Sequence, residues 1–172
     1  MVPSIRLFIV LILILLSSCP TKIMAKEIKY NHNSITVPAI KNKVDFKVFA
    51  PKKVPEDWTL EIKTYPWGEK DKFTYFRLHY MDSNDTKLLI GIEQRKELRI
   101  QEEHLGPNAK QVDINGTKGY FVEWGNSGQL DNNHGELITG GLLFWNQGGT
   151  HIKIDSMRLS EEKMLEIARS MK

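Results

Sequence analysis

Between residues 59 and 156 the apolar side chains of this chain recur at every second position, in short runs broken by turn residues; only after Leu159 does the spacing lengthen to a helical one. Alternation of that kind buries one face of a strand and leaves the other wet, so the chain is committed to a sheet with one packed face. In 59–65, Leu60 and Ile62 share a face against Glu61 and Lys63; in 73–80, Phe76, Leu78 and Tyr80 do so, and in 87–94, Leu88, Ile90 and Ile92. Two earlier β-type runs are expected at 34–37 and 44–49, ended by Pro38 and Pro51. The stretch Pro51-Lys52-Lys53-Val54-Pro55 reads as a rigid connector, because each proline fixes its own φ and extends its predecessor. For 95–103, a continued strand and a short helix both stay open.

Asn115-Gly116 is the strongest local hairpin signal, since a type I′ turn needs positive φ at both central residues; it joins 111–114 to 117–124. Gly148-Gly149 joins 137–147 to 150–156 in the same manner, and the polar, glycine-rich stretch 125–135 predicts a mobile loop. At the end, Ser160 is placed to N-cap a helix, with Leu159 and Met164 as a staple across the cap and Glu161 and Glu162 at the positive end of the dipole. Met164, Leu165, Ile167, Ala168 and Met171 then form one apolar stripe, which must lie on the sheet. The expected fold is α+β: a curved antiparallel meander of about seven or more strands packed against a C-terminal α-helix.

Ahead of this domain, residues 1–25 read as a signal peptide, with Arg6 in a short positive region and ten unbroken apolar residues at 7–16, too few to span a bilayer. Two processing sites compete. Leu16-Ser17-Ser18-Cys19 looks like a lipobox, which would place a diacylglycerol on Cys19 and keep the protein on the membrane; Ile23-Met24-Ala25 before Lys26 is a conventional cleavage site, which would release it. Residues 26–43 form a lead, and 44–172 a single domain. One cysteine allows neither a disulfide framework nor a cysteine-rich zinc site. Loss of Arg6 and Lys22 with the leader leaves 22 of the 24 basic residues against all 21 acidic ones, an interspersed balance that argues against nucleic acid as a partner.

The C-terminal third carries a resemblance. Trp145, Gly148-Gly149, the strand through Ile152 and Ile154, then Leu159-Ser160-Glu161-Glu162 and Ile167 to Lys172, resemble the closing signature of a family of bacterial extracytoplasmic domains of unknown function. The stretch from Pro51 to Trp58 is similar to that family's upstream hallmark, a proline-rich turn leading to a tryptophan and a strand. Such domains occur in exported and lipoprotein-like proteins of Gram-positive, often spore-forming bacteria, and at the outer ends of regulators such as anti-sigma factors. With no cytoplasmic segment before the apolar run, the resemblance implies compartment and fold here, not an anti-sigma role. It supplies no catalytic residues.

Site signals are sparse. Asp82, Asn84, Thr86 and Glu93 occupy positions of a calcium loop, but Lys87 stands where the loop needs glycine, so a polar turn is expected. His32, His79, His104, His134 and His151 show no ligand spacing, and no nucleophile elbow or phosphate loop is present. Carboxylates such as Glu123 beside Trp124, or Asp131 with His134, have an acid–base look, but isolated carboxylates near aromatics are common in sheets. No metal or cofactor is expected. The aromatics say more: Tyr65, Trp67, Phe73, Tyr75, Trp124 and Trp145 cannot all face one core if the strand parity holds, so either helix and sheet bury both faces in places or an aromatic surface remains; Trp67, Tyr75, Trp124 and Trp145 are the candidate ligand-binding residues, for a hydrophobic ligand or an envelope protein. The functional expectation is a non-catalytic, secreted or lipid-anchored binding or sensing module of the bacterial envelope. A sporulation setting is implied by the resemblance alone. The alternative is a carrier of a lipid or hydrophobic peptide in the concave face of the sheet.

Overall fold

A computed structural model describes residues 27–125 and 140–172, with the backbone of 129–130 and 137–138 between them. The leader, Cys19 and the Asp131–His134 pair lie outside the described residues. Among the described residues nine strands follow one another: β1 Thr59–Tyr65, β2 Tyr75–Met81, β3 Leu88–Lys96, β4 Ala109–Ile114, β5 Thr117–Glu123, β6 Gln129–Leu130, β7 Leu137–Ile138, β8 Gly141–Gln147 and β9 Thr150–Ser156. A single helical turn, α1 (Val37–Ile40), precedes them, and α2 (Glu161–Arg169) closes the chain. Seven strands make one open antiparallel sheet in the order β1-β2-β3-β9-β8-β5-β4, and β6 pairs with β7 apart from it. The fold is thus the expected α+β sheet and helix, with one refinement to the meander: β9 lies at the centre, between β3 and β8.

The register explains the packed face. Leu60 faces Tyr80, which faces Ile90; Ile62, Leu78, Ile92, Ile154, Leu143 and Phe121 form the next row across the sheet, and all are buried. Over the β4, β8 and β9 side lies α2, which buries Met164, Ile167 and Ala168; its cap is as expected, Ser160 accepting from the Lys163 N–H at 3.3 Å. The hairpin turns also form as expected, with Asn115 and Gly116 at φ 54° and 82°.

The β1–β3 side of that face is covered by chain that the alternation reads as strand. Residues 44–50 join no ladder, and polar groups among them bond instead to side chains of the sheet: buried Gln94 accepts from the Phe49 N–H and donates to the Phe49 C=O, both at 2.8 Å, and the Thr150 hydroxyl donates to the Lys47 carbonyl at 2.6 Å. Phe46 stacks on Phe76 at 6.0 Å. Nor is 34–37 a strand. Thr36 caps α1 by accepting from the Ala39 N–H, with Pro38 in the first turn, and Val37 and Ile40 enter the core, so the lead packs on the domain. The open stretch 95–103 resolves into the end of β3, an extended link and a 3₁₀ turn at Glu102–His104.

Candidate functional site

Where the lead and the proline connector cross the β1 edge, they leave a cleft of about 450 Å³ with a mainly apolar lining. Its floor is Trp58, Leu60 and Tyr80, with the two rings tilted at 6.3 Å between centroids. One wall is Glu27–Lys29, held to the edge by the Leu60 N–H donating to the Lys29 carbonyl at 2.8 Å. The other is Ala50 to Glu56, held by the C-terminus: Lys172 N–H donates to Ala50 C=O at 3.3 Å, and Lys52 N–H to Ser170 C=O at 3.2 Å. Pro51 and Pro55 stiffen this wall, so the cleft is formed before any ligand arrives. Burial holds the Tyr80 phenol far above its usual range, so the floor offers no acid–base group near neutral pH. Its volume falls within the usual range of small-ligand sites.

The second face of the sheet is a different surface. The same register sets Tyr65, Tyr75, Arg95, His151 and Asn146 in one transverse row, Lys63, Arg77, Glu93 and Lys153 in the next, and Glu61, His79, Gly91 and Asp155 in a third. Charges of opposite sign interleave: Arg77 pairs with Asp155 at 2.6 Å, and Glu93 with Arg95 at 2.8 Å and Lys153 at 3.5 Å. Gly91 makes room for this, since a Cβ there would lie 2.5 Å from the Arg77 guanidinium. Burial outweighs the Arg77 charge and holds the Asp155 carboxyl above its usual range; burial, with Arg77 second, holds His79 below its own.

The four sequence-picked aromatics separate. Trp67 and Tyr75 come together through Tyr65, which meets Trp67 edge-on at 5.9 Å and stacks on Tyr75 at 4.4 Å, with the Arg95 guanidinium 4.5 Å over Tyr75. Trp67 itself is 75% exposed. Trp124 lies elsewhere, in a shallow depression with Pro107, Lys110 and Glu123. Trp145 is a correction: it is 0% exposed, faces Ile152 and Gly119 in the core, and donates its indole N–H to Gln147 at 3.1 Å, so no ligand reaches it. The parity argument missed that Trp145 shares its side of β8 with Leu143, on the same packed face as Ile152 and Ile154. Trp58 and Tyr80, which form the floor of the cleft, carry one local signal in the sequence, the proline-rich turn that ends at Trp58. Asp82 closes its own turn, accepting from the Thr86 N–H at 2.6 Å and the Lys87 N–H at 3.0 Å. His32 pairs with Asp85 at 2.6 Å, and no cluster of three metal-ligating side chains is found among the described residues.

An open antiparallel sheet closed by a C-terminal helix, with an apolar cleft at one edge, defines the class of a small α+β domain with room for a ligand. The chain belongs to the family DUF4367, a domain of unknown function, which it matches over residues 48–171. No curated protein matches this sequence. A crystal structure from Bacteroides thetaiotaomicron VPI-5482, at 1.50 Å resolution, is similar at 12% identity and a TM-score of 0.39; the match covers 72% of this chain, which spans 44% of that one.

Proposed function

We propose that the protein is a non-catalytic binding module of the bacterial cell envelope, exported and then either released or held by lipid at Cys19, and that the cleft over Trp58, Leu60 and Tyr80 is its ligand site. The cleft itself carries this reading: an apolar, preformed concavity whose stiff wall is the stretch that resembles a family hallmark. Its aromatic and aliphatic floor suits holding a ligand and not transforming one. The Gram-positive setting and a role in sporulation are supported by the resemblance of the C-terminal third alone.

The carrier reading changes place on this geometry. A lipid or peptide has no room in the face of the sheet, where Leu78, Ile92, Ile154, Leu143 and Trp145 are fully buried under α2 and residues 35–50. A carried group would sit at the edge of that face, in the cleft. Native mass spectrometry of protein purified from its own envelope or medium tests both. A noncovalent adduct that disappears in Val54→Trp, a variant that fills the cleft, is the expected result when the melting midpoint is kept. An adduct that survives Val54→Trp would put the ligand elsewhere.

A further inference from the structure

We propose that residues 27–34 form a strap that opens as a unit of its own while the rest of the domain stays folded, and that its opening removes one wall of the cleft. This holds whether or not the cleft is the ligand site. The strap is fastened differently from the chain that follows it. Val37 and Ile40, at 7% and 0% exposure, anchor α1 in the core, whereas no residue of 27–34 is buried and Tyr30 alone lends a half-buried ring to the core. Polar bonds along the sheet edge hold the rest. The Leu60 N–H donates to the Lys29 carbonyl at 2.8 Å, the Asn31 N–H to the Leu60 carbonyl at 3.1 Å, and the Ile62 N–H to the Ser34 hydroxyl at 2.7 Å. The Asn31 amide donates to Asp85 and to the Thr59 hydroxyl, and the His32 ring reaches Asp85 at 2.6 Å and Glu61 at 3.5 Å.

The closed strap carries costs that these bonds must offset. The Ser34 N–H donates to the Asn31 carbonyl at 2.9 Å, closing a turn whose central residues, His32 and Asn33, both have positive φ, 50° and 53°. The turn at 115–116 meets the same demand with Asn-Gly; here histidine stands in place of the asparagine and asparagine in place of the glycine. Asp85, which receives both His32 and Asn31, is itself at φ 57°, and the Asn31 Oδ1 is buried without a partner among the described residues. Three left-handed non-glycine residues and an orphaned oxygen thus meet at one contact that apolar burial does little to hold, the makeup of a segment with a low opening free energy. When it lifts, Glu27–Lys29 leave the cleft, and the proline wall stays, held by the C-terminus.

Native-state hydrogen exchange on the exported protein, at low denaturant, tests this. The reporters are the N–H groups of Leu60 and Ile62, which donate to the strap; those of Ile92 and Ile154, on the central strands, report global unfolding. Expected is exchange at Leu60 and Ile62 about tenfold or more faster than at the central pair, with little dependence on denaturant because little surface is exposed. Asn33→Val, which sets a branched residue at positive φ on an exposed position, should speed their exchange about tenfold, and Asn33→Gly should slow it about threefold. Asn115→Ala, at the far edge of the sheet, should speed exchange at Ile92 and Ile154 about tenfold and leave Leu60 and Ile62 as they were. If Asn115→Ala moves all four by one factor, the strap unfolds only with the whole domain and the proposal is overturned. Exchange at Leu60 and Ile62 that ignores both Asn33 substitutions overturns it as well.

Discussion

Replacing Gln94 by Leu tests what holds the cleft wall to the sheet. The Gln94 amide is fully buried and makes two 2.8 Å bonds to one residue, accepting from the Phe49 N–H and donating to the Phe49 C=O. Leucine is close in volume, so little cavity opens, but Phe49, itself 1% exposed, is left with two buried main-chain groups unpaired. Each such group costs about 1–3 kcal/mol, so the expected loss is about 2–6 kcal/mol. For a domain near this size, about 2–4 °C of melting midpoint goes with each kcal/mol, which places the midpoint of Gln94→Leu about 4–24 °C below wild type by calorimetry. Gln94→Glu sharpens the argument. Its carboxylate can accept from the Phe49 N–H but has no proton for the Phe49 C=O until it is protonated, and burial raises its folded-state pKa. Its stability is therefore present at low pH and lost as pH rises through that value. A Gln94→Leu midpoint within about 2 °C of wild type would refute the account, and residues 44–50 would have to be held by the Thr150 bond to Lys47 and by apolar contacts.

Other outcomes follow from the second face and the turns. Burial lowers the pKa of both His79 and His151, with the Arg77 and Arg95 charges second, so below about pH 6.5 the unfolded chain takes up protons that the folded one refuses. Stability should be level above that pH and fall beneath it, and His79→Gln with His151→Gln should flatten the fall in urea titrations; an unchanged profile would reject the assignment. Gly91→Ala has no positive φ to relieve, but its Cβ would displace Arg77 from Asp155, and a loss of about 1–3 kcal/mol in denaturant midpoints is expected. Asn115→Ala loses the 2.8 Å bond from its amide to the Arg169 carbonyl at the end of α2 and places a Cβ residue at φ 54°, together about 1–2 kcal/mol; Asn115→Gly should recover the backbone part only.

What the sequence made legible is what local chemistry decides. Ser160, the stripe through Ile167 and the Asn115-Gly116 pair act within a few residues of themselves, and α2 and the β4–β5 hairpin form where they point. Residues 44–50 show the limit: Val44, Phe46 and Val48 alternate like a strand, yet the partners that hold this stretch are Gln94 and Thr150, 45 and 103 residues away in sequence for the bonded pairs. The cleft escaped notice for the same reason. Trp58 and Tyr80 each look like ordinary strand-end aromatics, and only the pairing of β1 with β2 and the return of the C-terminus to Ala50 make them a floor. Trp145 reads as a spare aromatic until the pairing of β8 with β9 sets it beside Ile152.

The central position of β9 has a consequence for how the molecule is made. Until β9 emerges, the chain can offer only two separate half-sheets, β1-β2-β3 and β4-β5-β8, each ending in an unpaired strand rich in β-branched or aromatic residues. Those two edges are prone to pairing with other chains, and the seam is joined only by a strand near the end of synthesis, followed by the helix that roofs it. A chain cut short of residue 150 would therefore be adhesive, not merely smaller. Such a protein gains from being kept unfolded until it is complete, which is the condition in which a chain is threaded through a membrane.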